Sequence, residues 1–358
     1  MKILYVSDAQ SIHTRRWAES FRDRGADVHV ASFRPCNIQG VKIHILPTFL
    51  MGKIGYFMAL FTLRALYTRL RPDVVHAQYV TSYGFLAALA RLQPLIVTAW
   101  GTDVLISPKE SRMARFFARY SVRHAAAVTT VAEHMNAAIV DFGVPVARVA
   151  AIPFGVDSQL FVPKLHGGSE NTPLKLICTR NFSPIYDVQT LLRALALVFS
   201  RGYLLDVDLI GEGPLRQSLV DLVNELGLVS QVHFHGHVDH PTLARFLARA
   251  DIFVSPALSD GNNVSLNEAM ACGCFPIATD IPANTQWIQN GKNGYLYPPG
   301  DVGRLASAIE MAAKDPFLRN VAKDENRNIV VIRADWRVCV KRMASLYESL
   351  SGVRFKEA

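Results

Sequence analysis

The 358-residue sequence is poor in cysteine: there are five, an odd number, at scattered positions. Cys272 and Cys274 are separated by one residue rather than the two of a zinc or redox pair. A disulfide framework and a zinc ribbon are therefore excluded, and a reducing, cytosolic setting is expected. Long apolar runs are also missing. Runs such as GFLAALA and PLIVTAW fall far short of the ~20 residues that cross a bilayer. The opening MKILYVSD lacks the apolar stretch and cleavage site of a secretory leader and reads as a strand. No Gly-x-Gly-x-x-Gly follows that strand. The residues there are SDAQSIH, which sets aside a nicotinamide-dependent oxidoreductase. Acids are scarce in the first half only. Residues 1–160 hold 10 Asp and Glu against 18 Lys and Arg, whereas residues 161–358 hold 20 of each, so the net charge of +8 lies wholly in the first half. A one-sided basic field favours an anionic partner: a membrane surface, an acidic acceptor or nucleic acid.

What is present is ordinary globular composition, half apolar and 19% charged. The length exceeds one ordinary core, so two domains are expected. Strand candidates KILYVS, DVHVAS, VKIHILP, DVVHAQ, LIVTAW and AAVTTV alternate with helical segments at 54–70, 83–92, 110–123 and 133–142. The polar stretch DSQLFVPKLHGGSENTP, 157–173, is the best boundary. Beyond it the alternation resumes: LKLICTR, a helix at 187–200, LDVDLIG, a helix at 214–226, VHFHGH, a helix at 240–249, DIFVSPA, FPIATD, GYLYPP, a helix at 301–313 and a last one at 335–350. The fold class is α/β, with two Rossmann-like parallel sheets facing across a cleft. The domains are 1–160, a linker at 161–173, 174–334, and a terminal segment, 335–358. Ligands in such sheets bind outside the carboxyl ends of the strands.

Chemistry concentrates in LSDGNNVSLNEAMACG, 258–273. Asp260 and Glu268 stand eight positions apart, with Gly261, Asn262 and Asn263 between them and a helix start. Backbone N–H groups at a helix N-terminus attract anions. A structural account competes: Ser265 to Glu268 fits a capping box. Gly211, in Gly211-Glu212-Gly213-Pro214, follows a strand and opens a helix, where glycine permits close approach of a ligand. Arg180, at the end of LKLICTR, is placed to clamp a phosphate. In the first half, His13 lies in a polar loop, and Trp100 and Asp103 follow the strand LIVTAW. His233, His235 and His237 alternate along one strand with no carboxylate in their pattern, so no metal site is expected. The basic excess has two foci: Arg112, Arg115, Arg119 and Arg123 at helical spacing beside Phe116, Phe117 and Tyr120, and residues 50–71, with four basic residues and no acid. Such segments suit an anionic bilayer.

Five ordered segments carry a resemblance: VTAWGTD, AIPFGVDSQLF, LIGEGPLR, ADIFVSPALSDGNNVSLNEAMACGCFPIAT and GKNGYLYPPGD. The chain resembles the retaining, nucleotide-sugar-dependent glycosyltransferases of family four, which have the GT-B fold. The resemblance implies transfer of a hexose from a UDP- or GDP-sugar to a hydroxyl acceptor, lipid-linked or polysaccharide, with no nucleic acid partner and no metal cofactor. Glu268 would take the donor ribose. Asp260 would stand where a glutamate contacts the donor sugar. The backbone N–H groups of Asn263, Val264 and Ser265, helped by Arg180, would hold the diphosphate. His237 and Val238 would bracket the base. His13, Trp100 and Asp103 would face the acceptor and the reacting sugar, and a C-terminal helix would return to the first domain. Cytoplasmic placement, peripheral at a membrane, follows. Four departures stand out: Asp260 for glutamate, Tyr186-Asp187 for Lys-Gly, Ala99-Trp100-Gly101 where a histidine often stands, and Pro282-Ala283-Asn284 for Gly-Gly. They keep open a non-catalytic nucleotide-sugar-binding protein of the same fold.

Overall fold

The computed structural model describes residues 1–47, 52–163 and 173–355, and the side chains of 52–57 lie outside the description. The linker expected at 161–173 falls largely on 164–172, outside the described residues, as does the start of the basic stretch at 50–71. Two units result: Met1–Phe154 together with the chain from Cys339 onward, and Gly155–Val338.

The first unit holds seven strands: β1 (Lys2–Val6), β2 (Asp27–Ser32), β3 (Lys42–Ile45), β4 (Val74–Gln78), β5 (Leu95–Ala99), β6 (Ala127–Thr130) and β7 (Val149–Ala151). They form one parallel sheet in the order β3-β2-β1-β4-β5-β6-β7. Every residue of β4, β5 and β6 is buried, as a sheet covered on both faces requires. Chain order reverses between β1 and β4, and a parallel sheet opens a crevice at such a point. The Ile12–Asp23 helix follows β1. Ser11 caps it by accepting from His13 N–H, and it buries Thr14, Trp17, Ala18 and Phe21, one stripe at helical spacing.

The Trp336–Ser351 helix joins this unit through a buried polar chain. Tyr347 Oη lies 3.0 Å from Tyr5 Oη and 2.5 Å from His76 Nδ1, and His76 Nε2 lies 2.5 Å from Thr98 Oγ1. All four side chains are buried. Burial pushes His76 down to about 3, so the imidazole is neutral at physiological pH. Buried polar groups demand partners, so Tyr347 fixes the register in which this helix packs.

The second unit holds β8 (Leu174–Cys178), β9 (Leu205–Ile210), β10 (Val232–Gly236), β11 (Ile252–Ser255), β12 (Phe275–Thr279) and β13 (Tyr295–Tyr297), parallel throughout, in the order β10-β9-β8-β11-β12-β13. Its reversal lies between β8 and β11. Arg180 follows the first of these strands and Asp260 the second.

One long element escaped the sequence reading: the Pro316–Arg333 helix. It buries only Ala322, Asn326 and Val330, a small, a polar and a branched residue, so it carries no apolar stripe. Its start was legible: Asp315 caps by accepting from Leu318 N–H, and Pro316 sits in the first turn. Asn326 exchanges hydrogen bonds with Asn293, its Nδ2 donating to the Asn293 carbonyl and its Oδ1 accepting from Asn293 Nδ2.

Candidate functional site

The Val264–Ala271 helix starts with Asn263 as its cap, not Ser265. Asn263 Oδ1 accepts from Leu266 N–H at 3.0 Å and from Arg180 Nη1 at 2.7 Å. Its Nδ2 donates to Ser255 Oγ and to Asn284 Oδ1, both at 2.9 Å. Ser265 instead donates its hydroxyl to the Thr179 carbonyl. The capping-box account of Glu268 is thereby corrected. With Asn263 as cap, the third helical position is Leu266, and Glu268 lies further along, only 8% exposed. Val264 N–H, one of the amides expected to hold an anion, is already taken by the Asn262 carbonyl within the tight turn.

Arg180 is 6% exposed and held on three sides. Its Nη1 reaches Asn263, its Nη2 pairs with Asp260 Oδ2 at 2.5 Å, and its guanidinium lies 4.2 Å over the Tyr186 ring. Two departures from the family pattern acquire reasons here. Tyr186, in the lysine's place, stacks on the cation that remains. Asp187, in the glycine's place, adopts φ +45°, a left-handed conformation that a short polar residue tolerates. Its Oδ2 also accepts from Thr190 Oγ1. Asn284, in the Gly-Gly replacement, partners Asn263 and donates to the Thr279 carbonyl at 2.9 Å.

At Gly211, where glycine is expected to permit close approach of a ligand, the chain also approaches itself, at the Arg180 carbonyl. A Cβ there would collide with the Arg180 carbonyl oxygen, and one at Gly213 would stand 2.5 Å from the Phe182 carbonyl. Hydrogen bonds hold this approach: Phe182 N–H donates to the Glu212 carbonyl and Leu215 N–H to that of Phe182. Gly211 N–H also donates to the Gly236 carbonyl, which brings exposed His237 and half-buried Val238 to the same strand ends. The expected lack of carboxylates around these histidines is also corrected. His233 Nε2 lies 3.0 Å from Asp206 Oδ1 and His235 Nε2 2.5 Å from Asp208 Oδ1, both acids coming from neighbouring β9. Among the described residues no group of three or more His, Cys, Asp or Glu is placed to hold a metal ion.

In the first unit, His13 and Trp100 meet, and a third ring, Phe154, joins them. His13 stacks on Phe154 with centroids 3.6 Å apart and planes at 9°. Trp100 stands edge-on to both, at 5.6 Å and 5.5 Å. Burial, aided by Arg16, lowers His13 to about 4, so it is neutral at physiological pH. Tyr79, at φ +75°, lies edge-on to Trp100 and shares a 3.0 Å hydrogen bond with Thr102 Oγ1. Asp103 does not reach out. It is fully buried, and its carboxylate accepts from the N–H groups of Trp100, Gly101 and Val80. Its burial raises it to about 6 against the pull of those bonds. It positions Trp100 rather than facing a substrate.

Two open parallel sheets in one chain, each with polar groups gathered at its strand ends, are the architecture of GT-B proteins. HepE from Anabaena, solved with UDP-glucose, superposes with a TM-score of 0.80 over 98% of this chain and 100% of its own, at 19% identity. Residues 2–132 match the domain described as Glycosyl transferase 4-like, and residues 173–315 match Glycosyl transferases group 1. The chain belongs to the glycosyltransferases that join these two domains. It is similar to N-acetyl-alpha-D-glucosaminyl L-malate synthase of Bacillus anthracis, 24% identical over 72% of this chain and 70% of that one. It is also similar to phosphatidyl-myo-inositol mannosyltransferase of Mycolicibacterium smegmatis, 31% identical over 57% of this chain and 53% of that one.

Proposed function

We propose that this glycosyltransferase is a retaining enzyme that moves a hexose from a UDP- or GDP-sugar to a hydroxyl acceptor. The observation that carries the reading is Arg180, buried and fixed by Asp260, Asn263 and Tyr186 at the start of the helix that bears Glu268. A fixed cation and a helix N-terminus stabilise a leaving diphosphate without a metal ion. Glu268 holds the ribose hydroxyls, and His237 and Val238 flank the base. The acceptor oxygen bonds to the anomeric carbon on the face the diphosphate leaves. The bond from that carbon to the phosphate oxygen breaks with its electron pair, and the departing oxygen takes the acceptor's proton. HepE with UDP-glucose is why a uridine donor is retained. The test is release of UDP from UDP-glucose and of GDP from GDP-mannose, without acceptor. The wild type releases one of them slowly, and Glu268→Gln is about 10- to 100-fold slower with an unchanged melting temperature. A wild type that turns over neither donor favours a non-catalytic binding protein. Full activity in Glu268→Gln removes the ribose role.

The acceptor we assign to a lipid-linked or polysaccharide chain, reached at the inner face of a membrane. The similarity to a phosphatidyl-myo-inositol mannosyltransferase supports a lipid. On the Arg112–His124 helix, Arg112, Arg115, Arg119 and Arg123 are all exposed, and Met113 and Phe116 beside them are 64% and 59% exposed. Phe117 turns inward to stack on Phe85 at 4.1 Å. Phe61, on the Gly52–Leu70 helix, is 60% exposed. Arginines with apolar side chains between them suit an anionic headgroup layer. No helix among the described residues is long and apolar enough to cross a membrane. Vesicles containing phosphatidylglycerol should co-sediment the protein at low salt. Replacing Arg115 and Arg119 by glutamate should abolish this, and indifference of the wild type to such vesicles removes the proposal.

A further inference from the structure

In the first unit, edge strand β3 and the Gly52–Leu70 helix line an open cavity of about 570 Å³, within the ~300–1,000 Å³ of small-molecule sites. Its deep lining is Leu46 and Leu66, both buried, and β3 adds Ile43 and the exposed Ile45. On the helix side the small Ala65 leaves the space open, and Arg69 ends it. Met58, Thr62, Ala65 and Arg69 form one stripe at helical spacing, and Phe61 stands one turn before Ala65. Ile45, Met58 and Phe61 are all exposed, and large apolar side chains gathered in water mark an interaction site. The groove carries one charge. Among the described residues no Asp or Glu lines it, and the Gly52–Leu70 helix contains none. His44, also in the lining, has its Nε2 2.8 Å from His29 Nδ1. Burial, then the nearby His29, Arg69 and Lys42, lowers its pKa, so it is neutral at physiological pH. The charge is Arg69, exposed and without a hydrogen bond or ion pair among the described residues.

We infer that this groove takes one acyl tail of an anionic phospholipid and that Arg69 holds its phosphate. The inference rests on the membrane contact proposed above only for the source of the lipid. The lining selects the class. A sugar or a nucleotide would leave hydroxyls unmet against aliphatic side chains, and no aromatic ring lines the groove to stack on one. A methylene chain needs no directional partner, and its burial is favourable by area alone. The guanidinium offers paired N–H groups that match a phosphate, and no lining acid competes for them. Met58 and Phe61 carry the apolar surface on from the groove along the helix, and Phe61 is a side chain already placed at the membrane. The rival occupant, a peptide strand added to the open edge of β3, would be held by the strand's backbone. It would need neither the space at Ala65 nor the charge at Arg69.

Calorimetric titration of the full chain with oleoyl lysophosphatidylglycerol, below its micellar concentration, tests this. The comparison probes are oleoyl lysophosphatidylcholine, which has the same tail and no net charge, glycerol phosphate, which is the head alone, and oleate. The wild type binds the anionic lysolipid at least about 10-fold more tightly than the choline lysolipid and does not bind glycerol phosphate. Ala65→Trp fills the groove and weakens the anionic lysolipid at least about 10-fold, whereas Ala65→Ser keeps the space and the affinity. Ile45→Glu, on the strand side, weakens it likewise. Arg69→Gln still takes the tail and loses the preference for the anionic head. All four variants melt within about 2 °C of the wild type, since the three positions are exposed. Unchanged binding in Ala65→Trp and Ile45→Glu overturns the groove. Equal affinity for the two lysolipids, or oleate bound more tightly than either, overturns the assignment to an anionic phospholipid. Lysolipid binding by a protein that ignores phosphatidylglycerol vesicles removes the membrane contact and leaves the groove standing.

Discussion

Arg180→Lys loses about 10²- to 10³-fold in kcat/KM with the nucleotide sugar, the range for removing one fixed donor from a developing anion. A lysine keeps the charge but not the geometry. The guanidinium spends Nη1 on Asn263 and Nη2 on Asp260 while its plane lies over Tyr186, and an ammonium has no plane to stack and no fork to divide between two acceptors. The counter-experiment is Asp260→Asn. That carboxylate orients the arginine, but it also opposes the charge of an incoming diphosphate. The amide keeps a hydrogen bond to Nη2 and removes the repulsion, so Asp260→Asn costs at most about a tenth of what Arg180→Lys costs in kcat/KM, roughly 1.4 kcal/mol separating the two. Steady-state kinetics with the preferred donor decide the matter. Equal losses in both variants would show that the ion pair acts as one unit, and full activity in Arg180→Lys would falsify the phosphate role.

Individual elements were legible because each strand and helix declares its buried face locally. LIVTAW and AAVTTV become β5 and β6, buried at every residue, and their apolar runs said so. The helix from Pro316 to Arg333 was not legible because its inward face is Ala322, Asn326 and Val330, with no apolar period to detect. The candidate site divides in the same way. Asp260, Arg180 and the helix start were legible as residue types at strand ends. Their pairing was not, because it joins positions 80 apart in sequence. The histidines of β10 show the same blindness: their carboxylates lie on β9, and a period-two pattern within one strand carries no information about its neighbour. Asp103 misled for a related reason. An acid after a strand suggests chemistry, and only its full burial against three backbone N–H groups shows that it shapes a turn. Departures from the family pattern were visible singly, whereas their mutual compensation, Tyr186 under Arg180 and Asn284 beside Asn263, needed the fold.

That compensation gives the second large effect. Asn263→Ala destabilises the protein by about 3 to 5 kcal/mol, the range for breaking a buried polar network. The helix cap alone accounts for about 1 kcal/mol of this. The remainder comes from groups left without partners: Arg180 Nη1, and the Ser255 and Asn284 acceptors that Nδ2 now serves. None of these is open to water, since Arg180, Ser255, Asn263 and Asn284 are all buried. Asn284 is not idle when Asn263 is lost, because it still donates to the Thr279 carbonyl and lies 3.2 Å from Thr279 Oγ1. Asn284→Ala therefore costs less than Asn263→Ala. The two together cost less than their sum by about 1 to 2 kcal/mol, as expected for direct partners. Urea unfolding of the four proteins in this cycle measures the coupling. Strict additivity would mean that Asn284 is not the reason an asparagine is accommodated at the start of this helix, and the pairing of the two departures would then be coincidence.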